Sequence, residues 1–147
     1  MILQGRIAIV TGAGSGIGRA GSEAMAREGA TVVVTDRDLD AARQTVDRIA
    51  SAGGRAEAVR LDVTDDSAVV AVIGEVAERH GRIDILHNHA GVQVAGSIEE
   101  IDGAGFDRSW AVNVHAQFIA CQAVLPVMKR QRSGVILNTS SNSGVFL

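Results

Sequence analysis

The chain has 147 residues, of which 46% are hydrophobic and 21% are charged, so it can form one compact domain with its own core. Its formal net charge of -3 and its pI of about 5.7 argue against nucleic acids and anionic membranes as partners, because both attract basic surfaces. The single cysteine, Cys121, excludes an intrachain disulfide, and neither a signal peptide nor an apolar run of membrane-spanning length stands out, so we expect a cytoplasmic protein.

Short β-branched runs alternate with helical patterns along the whole chain, and this alternation predicts a parallel sheet. No linker or low-complexity tract divides the sequence, so residues 1–147 are expected to form a single domain. The predicted strands are 6–11, 31–36, 56–62, 83–88 and 134–140. The predicted helices are approximately 16–28, 39–52, 65–80 and 103–131.

The last predicted helix carries apolar residues on two sides. One stripe consists of Phe106, Trp110, Val114, Phe118, Cys121 and Leu125, and a second of Val112, Ile119 and Ala123. A helix that is apolar on two sides is usually covered on two sides, so we expect a homo-oligomer that associates through this helix. Pro126 is expected to kink it, because proline removes a backbone donor from the helical hydrogen-bond pattern.

The first predicted strand runs into TGAGSGIG, in which Gly12, Gly16 and Gly18 stand directly before or at the start of a helix. A glycine allows the tight turn, a second lets backbone approach a diphosphate, and a third lets the helix sit close to the sheet. The free N–H groups at the helix start face the anion. Because the triplet lies between a strand and a helix, it predicts a dinucleotide-binding loop rather than an ordinary glycine turn.

Asp36 ends the second predicted strand, eighteen positions after Gly18. A carboxylate at this place can accept hydrogen bonds from both hydroxyls of the adenosine ribose and would repel a 2′-phosphate. We therefore expect NAD as the cofactor, with NADP the less favoured alternative.

Five motifs together resemble the short-chain dehydrogenase/reductase family over the whole chain. They are TGAGSGIG; LDVTD with Asp62 and Val63; NHAG with Asn88, Ala90 and Gly91; Asn113 within WAVNVHAQF; and SNSG beginning at Ser141. The resemblance implies cofactor contacts from Gly12, Ser15, Gly16, Ile17, Gly18, Asp36, Asp62, Val63, Asn88, Ala90 and Gly91. It also implies a Rossmann-type, doubly wound α/β fold with strand order 3-2-1-4-5, and a dinucleotide lying where that order reverses.

The implied reaction is hydride transfer between nicotinamide and a small-molecule alcohol or carbonyl substrate. In the family a tyrosine exchanges the proton, a lysine supports it, and a serine orients the substrate oxygen. By this carry-over Ser141 would polarise the substrate and Asn113 would hold a water; Ser140 is a competing candidate, and either serine could instead cap the strand end.

The chain departs from the family pattern in its proton-transfer residues. It contains no tyrosine, and its only lysine, Lys129, precedes the serine strand. We therefore expect the N-terminal, cofactor-binding part of such an enzyme, lacking the C-terminal strands of the family. A non-catalytic dinucleotide-binding module or an interaction protein remains the alternative.

The histidines allow other hypotheses. His87 and His89 are two apart on a predicted strand and so point the same way, as in the beginning of a metal site, but no third ligand is near in sequence. His89 replaces the second asparagine of the N-N-A-G motif of the family, which leaves the bracing of the central sheet in doubt. As imidazole titrates near neutral pH, His89 could also act as a substitute base, whereas His115 is expected to face away from Asn113.

Overall fold

The computed structural model describes residues 1–141 as a parallel sheet with helices packed on both faces. The strands are β1 (Ile7–Thr11), β2 (Thr31–Asp36), β3 (Arg55–Arg60), β4 (Ile85–Asn88) and β5 (Val135–Asn138). The helices are α1 (Gly16–Arg27), α2 (Leu39–Ser51), α3 (Asp66–His80), α4 (Gly103–Trp110) and α5 (Ala116–Gln131), with a π-helical turn (Ala111–His115) between the last two.

The sheet has the order β3-β2-β1-β4-β5, and each neighbouring pair is parallel. The predicted strand order is confirmed. The chain moves outward from β1 to β3 and then crosses to β4 on the other side of β1. In such sheets ligands bind at the carboxyl ends of the strands where the order reverses, which here is the edge formed by β1 and β4.

Alternate strand residues supply two separate cores, one on each face of the sheet. On one face, residues such as Ile9 and Leu86 pack with Val72 of α3 and Val124 of α5. On the other face, Val10, Val32 and Val34 pack against the small side chains of α1 and Ile49 of α2. The central strands are apolar on both sides because both sides are covered by helices.

The long helix differs from its prediction in one respect: residues 103–131 are continuously helical but contain the π-helical turn. Its buried residues, including Ala116, Ala120 and Val124, lie in the core beside α3. The helix continues past Pro126 to Gln131, so the change in hydrogen-bond pattern lies eleven or more residues earlier than the expected kink.

Most of the first predicted stripe of this helix is exposed. Phe106 is 62% exposed, Trp110 55% and Phe118 61%, and the rings of Phe106 and Trp110 stack with their centroids 6.4 Å apart. The 29-residue segment Gly103–Gln131 also contains an 18-residue window with a mean hydropathy of 1.3, which meets the length and composition of a membrane span and was not predicted from the sequence. Core helices of other proteins pass the same test, and one face of this helix packs on α3.

Strand and helix ends account for the other differences. The predicted strand 83–88 begins at Ile85 because the carboxylate of Asp84 takes the backbone N–H of Ile7, 3.0 Å away. The predicted helix 65–80 begins at Asp66, since Asp65 is its N-cap and accepts a hydrogen bond from the N–H of Ala68. β3 ends at Arg60 and β5 at Asn138, each two residues before its predicted end.

Asp84 lies at the amino edge of the sheet, where it joins β1 to β4. Its side chain is 5% exposed and accepts hydrogen bonds from the guanidinium groups of Arg6 and Arg82 as well as from the N–H of Ile7. Burial on its own would raise the pKa of Asp84, but these hydrogen bonds and charges outweigh it, so the pKa lies below its ordinary value.

Candidate active site

The glycine loop lies at the carboxyl end of β1 and leads into α1. A Cβ on Gly18 would lie 2.3 Å from the carbonyl oxygen of Gly12, so only glycine allows α1 to begin this close to the strand. Gly12 and Gly16 adopt φ values of +65° and +52°, and the space around Gly16 is open. Ser15 and Ile17 are both exposed beside it. The loop therefore offers free backbone N–H groups at the start of a helix to an anion.

Asp36 is held against this loop. One carboxylate oxygen accepts the N–H of Gly14 at 2.9 Å and the other accepts the N–H of Asp38 at 3.0 Å. A Cβ on Gly14 would lie 2.8 Å from the carboxylate oxygen, so Gly14 is required for this approach. Gly14 was not among the predicted site residues, and the alternating glycines of GAGSG were the only signal for it in the sequence.

Arg19 and Thr45 hold the glycine loop through hydrogen bonds to its backbone, and neither was predicted as a site residue. The Arg19 guanidinium donates to the carbonyl oxygen of Gly14 and, at 3.1 Å, to the Thr45 hydroxyl. That hydroxyl in turn donates to the carbonyl oxygen of Ala13 at 2.9 Å. A long polar side chain directly after the glycine motif was the only signal for this role in the sequence.

Thr11 joins the glycine loop to the segment that follows β4. Its hydroxyl oxygen accepts the N–H groups of His89 and Ala90, both at 3.0 Å. A Cβ on Gly12 would lie 2.8 Å from the Cα of Ala90, so the two loops are in direct contact. The polar threonine in the otherwise apolar β1 was the available signal, and it was not used.

Asn88 braces the sheet itself. It is 2% exposed, and its side-chain nitrogen donates to the side-chain oxygen of Asn138 in β5 at 2.8 Å. Its backbone carbonyl oxygen accepts the N–H of Thr139 at 2.9 Å. The first asparagine of the motif thus joins β4 to β5 even though His89 replaces the second one. The sheet is therefore braced at this point by Asn88, although His89 stands in place of the second asparagine.

Asn113 lies within the π-helical turn and holds the backbone of Val92. Its side-chain oxygen accepts the Val92 N–H at 2.9 Å, and its nitrogen donates to the Val92 carbonyl oxygen at 2.8 Å. Gly91 also lies against this amide, since a Cβ there would be 3.3 Å from the same oxygen. Both ends of the Asn113 amide are therefore engaged with the loop after β4.

Asp62 and Val63 follow β3 beside Asp36. The N–H of Leu61 donates to the carbonyl oxygen of Asp36 at 2.8 Å, which places the next two residues at the same edge of the sheet. Hydrogen bonds from the backbone and side chain of Thr64 lower the pKa of Asp62. Asp62 therefore presents a carboxylate that stays ionised to a lower pH than usual.

The predicted serines follow β5. Ser140 and Ser141 are exposed, and Ser141 is the last residue that the structure describes. The remainder of the serine motif, including Gly144, lies outside the described residues. β5 is adjacent to β4, so both serines leave the sheet at the edge that carries the glycine loop.

His87 of β4 and His89, which directly follows the strand, lie together, as predicted from their spacing. Their ring centroids are 5.4 Å apart, and each ring contacts the hydroxyl oxygen of Thr139. Burial, followed by the proximity of His89, lowers the pKa of His87. Among residues 1–141 no group of three potential metal ligands occurs. His115 instead contacts the carboxylate of Asp66 at 3.0 Å.

A groove on the described part of the chain lies elsewhere. It has a volume of about 590 Å³ and runs between α1 and α2, where its lining includes Arg27, Asp47 and Gly53. These residues are near the carboxyl ends of the two helices, at the opposite edge of the sheet from the glycine loop. The chemistry-bearing residues thus converge on the edge with β1 and β4 and not on this groove.

Comparison with known proteins adds to this geometry. Residues 6–146 match the family model described as short chain dehydrogenase. The chain is 41% identical to a sorbitol dehydrogenase from Cereibacter sphaeroides over 145 residues, covering 98% of this chain and 56% of the relative. In general it spans little more than half the length of the curated relatives it matches, between 52% and 58%.

Solved structures agree with the fold. A metagenomic short-chain oxidoreductase in complex with NADP superposes with a TM-score of 0.92 and 37% identity, over 96% of this chain and 64% of that one. A 7α-hydroxysteroid dehydrogenase in complex with NADH and 7-oxo glycochenodeoxycholic acid superposes with a TM-score of 0.94 and 37% identity, over 99% of this chain and 56% of that one.

Proposed function

Because the chain belongs to the short-chain dehydrogenase/reductase family, whose members bind nicotinamide dinucleotides, we propose that residues 1–147 form the NAD-binding domain of an oxidoreductase. The substrate class is a small-molecule alcohol or carbonyl compound, and hydride passes between it and nicotinamide. The names of the relatives support this class, since they include dehydrogenases of sorbitol and of meso-2,3-butanediol.

The observation that carries the proposal is the pairing of the glycine loop with Asp36. The Gly14 N–H donates to the Asp36 carboxylate, which stands at the end of β2 beside the start of α1. A diphosphate at the helix start places the adenosine ribose of a dinucleotide toward the end of β2, where a carboxylate can accept its two hydroxyl groups.

The same carboxylate supports NAD over NADP. A 2′-phosphate would bring a second negative charge to a group that already holds two backbone N–H groups. The two structural neighbours differ here, as one was solved with NADP and the other with NADH. The preference is therefore proposed for this chain from its own residue, Asp36.

We assign the remaining residues as follows. Gly12, Ser15, Gly16, Ile17 and Gly18 hold the diphosphate through backbone N–H groups, and Asp62 and Val63 border the adenine. Asn88, Ala90 and Gly91 form the wall below the nicotinamide ribose, and Ser141 donates a hydrogen bond to the substrate oxygen. For Asn113 we propose, in place of holding a water, that it positions these three wall residues, because its amide is hydrogen-bonded to the backbone of Val92. No tyrosine occurs in the sequence, so the proton-transfer group is assigned to no residue of this chain.

Titration with NADH and NADPH, followed by nicotinamide fluorescence, tests the proposal. We expect saturable NADH binding that Asp36→Ala weakens by about tenfold or more, since hydrogen bonds to a charged group are worth roughly 1.5–3 kcal/mol. Asp36→Asn removes the negative charge but keeps a hydrogen-bond acceptor. It should therefore reduce the difference in affinity between NADH and NADPH.

Asp47→Ala is the matched control, because Asp47 is an exposed carboxylate of α2 away from the loop. It should leave both affinities unchanged. Absence of NADH binding by a folded chain would contradict the proposed function, and equal binding of the two cofactors by the wild-type chain would contradict the NAD preference.

A dinucleotide-binding module without catalysis is the second candidate, since the glycine loop and Asp36 account for binding alone. Both candidates bind NADH, so binding does not separate them. Oxidation of an alcohol, or reduction of a carbonyl compound, by the pure 147-residue chain would rule out the second candidate.

A further inference from the structure

Two histidines from the end of β4 share a single hydroxyl group of the segment after β5. His87 Nε2 lies 3.1 Å from the hydroxyl oxygen of Thr139, and His89 Nδ1 lies 3.2 Å from the same atom. A hydroxyl has one proton to donate and can accept others. At most one imidazole can therefore accept from Thr139, and at least one must donate to it, if both rings are neutral and both bonds are made.

The surroundings of His87 decide which group donates in its hydrogen bond with Thr139. Its Nδ1 is buried without a partner, the only such side-chain nitrogen or oxygen among residues 1–141. Unpaired buried acceptors are tolerated better than unpaired buried N–H groups. The proton of His87 therefore belongs on Nε2, which donates to Thr139. The Thr139 hydroxyl has no other acceptor among the described residues, so donation to Nδ1 of His89 is the arrangement that uses its proton. That arrangement leaves the proton of His89 on Nε2.

His89 lies beside the glycine loop. A Cβ on Gly18 would lie 2.8 Å from Cδ2 of His89, the carbon bonded to Nε2. This Nε2 has no hydrogen-bond partner among the described residues. It is open to solvent, because His87 Nδ1 is the only buried side-chain nitrogen or oxygen without a partner in residues 1–141. The ring thus places its unused nitrogen near the start of α1, where the backbone N–H groups are also free.

We propose that His89 is a further dinucleotide-binding residue and that Thr139 positions it. The relay from His87 through Thr139 fixes the tautomer of His89 that presents an N–H donor, and this donor adds to the backbone N–H groups that bind the diphosphate. The inference rests on the proposed function for its ligand, but the relay itself requires no ligand.

The tautomers can be observed directly in the cofactor-free chain. Long-range ¹H–¹⁵N spectra of the imidazole rings at about pH 8, where free imidazole is neutral, distinguish a protonated Nε2 from a protonated Nδ1. We expect protonated Nε2 in both histidines. In Thr139→Val, which keeps the shape but removes the hydroxyl, the His89 spectrum should become that of exchanging tautomers, while Thr139→Ser should retain the wild-type spectrum. A protonated Nδ1 in wild-type His89 overturns the relay.

NADH titration tests the ligand. His89→Leu removes the donor and should weaken NADH binding by about tenfold, whereas His89→Asn keeps a side-chain N–H and should stay within about threefold of the wild type. Thr139→Val should weaken binding by about threefold and Thr139→Ser should restore it. Thermal melting of each variant confirms that it is folded.

The outcomes are distinguishable. Unchanged NADH affinity in folded His89→Leu overturns the role of His89 while leaving the proposed function intact. No NADH binding by the wild-type chain overturns the proposed function and the ligand together, and the imidazole spectra still decide whether the relay exists.

Discussion

A single buried carboxylate, Asp84, fastens the amino ends of β1 and β4. We expect Asp84→Asn to lower the free energy of unfolding by about 2 kcal/mol, because two guanidinium groups lose their charged acceptor in a site that is largely closed to water. Chemical denaturation at pH 7 measures the change. Asp40→Asn is the control, since Asp40 pairs with Arg43 in an exposed position and should have little effect.

The same residue predicts an acid limit to stability. As the pKa of Asp84 is lower in the folded chain than in the unfolded chain, its contribution is complete above the unfolded value of about 3.9 and is lost as the pH falls through the lower folded value. The difference between wild type and Asp84→Asn should be constant above about pH 5 and shrink below about pH 4. A difference that does not change with pH would contradict this account.

At the same scale, residues with a local signal could be predicted and residues paired across the chain could not. The glycines of the loop and Asp36 follow from spacing within a strand, turn and helix. Thr139 lies 50 residues from His89 in sequence and Asn113 lies 21 residues from Val92, so their contacts exist only once the strands are paired. Gly14 was missed because its requirement arises from contact with Asp36 and not from its own turn.

Among the elements, the π-helical turn connects the long helix to the site. It places Asn113 against the backbone of Val92, a use typical of such turns at functional sites. We expect Asn113→Ala to lower the free energy of unfolding by about 1–2 kcal/mol and to weaken NADH binding severalfold, because both hydrogen bonds to Val92 are lost. Denaturation and NADH titration measure the two effects.

Two further variants separate the contacts of Asn113. Asn113→Asp keeps the acceptor for the Val92 N–H but loses the donor to its carbonyl oxygen, so it should be intermediate at neutral pH. Ser109→Ala removes only the third contact, at 3.2 Å, and should resemble the wild type. An Asn113→Ala chain with normal NADH affinity would show that the loop after β4 needs no such support.

Element types were easier to predict than element ends. The period of the apolar residues distinguishes the strands from the helices, but each end depends on a specific competitor for backbone hydrogen bonds. Asp84 shortens β4 in this way and Asp65 caps α3. The π-helical turn has no period of its own, which is why the long helix was predicted without it.

For the whole molecule, we predict association through the exposed apolar face of the long helix. Phe106, Trp110 and Phe118 are each more than half exposed, and patches of this kind on folded chains usually mark interfaces. The wild-type chain should therefore self-associate at concentrations on the order of tens of micromolar, as a modest apolar interface allows. Phe118→Glu should shift it to the monomer, since the interface would then have to bury a charge.

Sedimentation velocity across a concentration series measures this association. Gln44→Glu is the matched control, because it adds the same charge at an exposed polar position of α2, which packs on the opposite face of the sheet from α5. A wild-type chain that remains monomeric at high concentration would contradict the prediction.

The strand order implied by the family resemblance is the one observed, and crossover connections of one hand leave few alternatives to it. The covering of the long helix could not be predicted in the same way. A stripe of apolar residues indicates that a face is to be covered, but it does not specify by which surface.

The position of β5 has a consequence for the motions of the cleft. β1 is hydrogen-bonded to a strand on either side, whereas within residues 1–141 β5 is bonded only to β4 and leaves Val135 and Leu137 exposed. Native-state hydrogen exchange should therefore show amides of β1 and β2 exchanging only through global unfolding, and amides of β5 exchanging through cheaper local openings. The β5 side of the cleft, which carries the serines, would then open and close many times before the glycine-loop side opens once. The two sides of the cleft would therefore open at different rates.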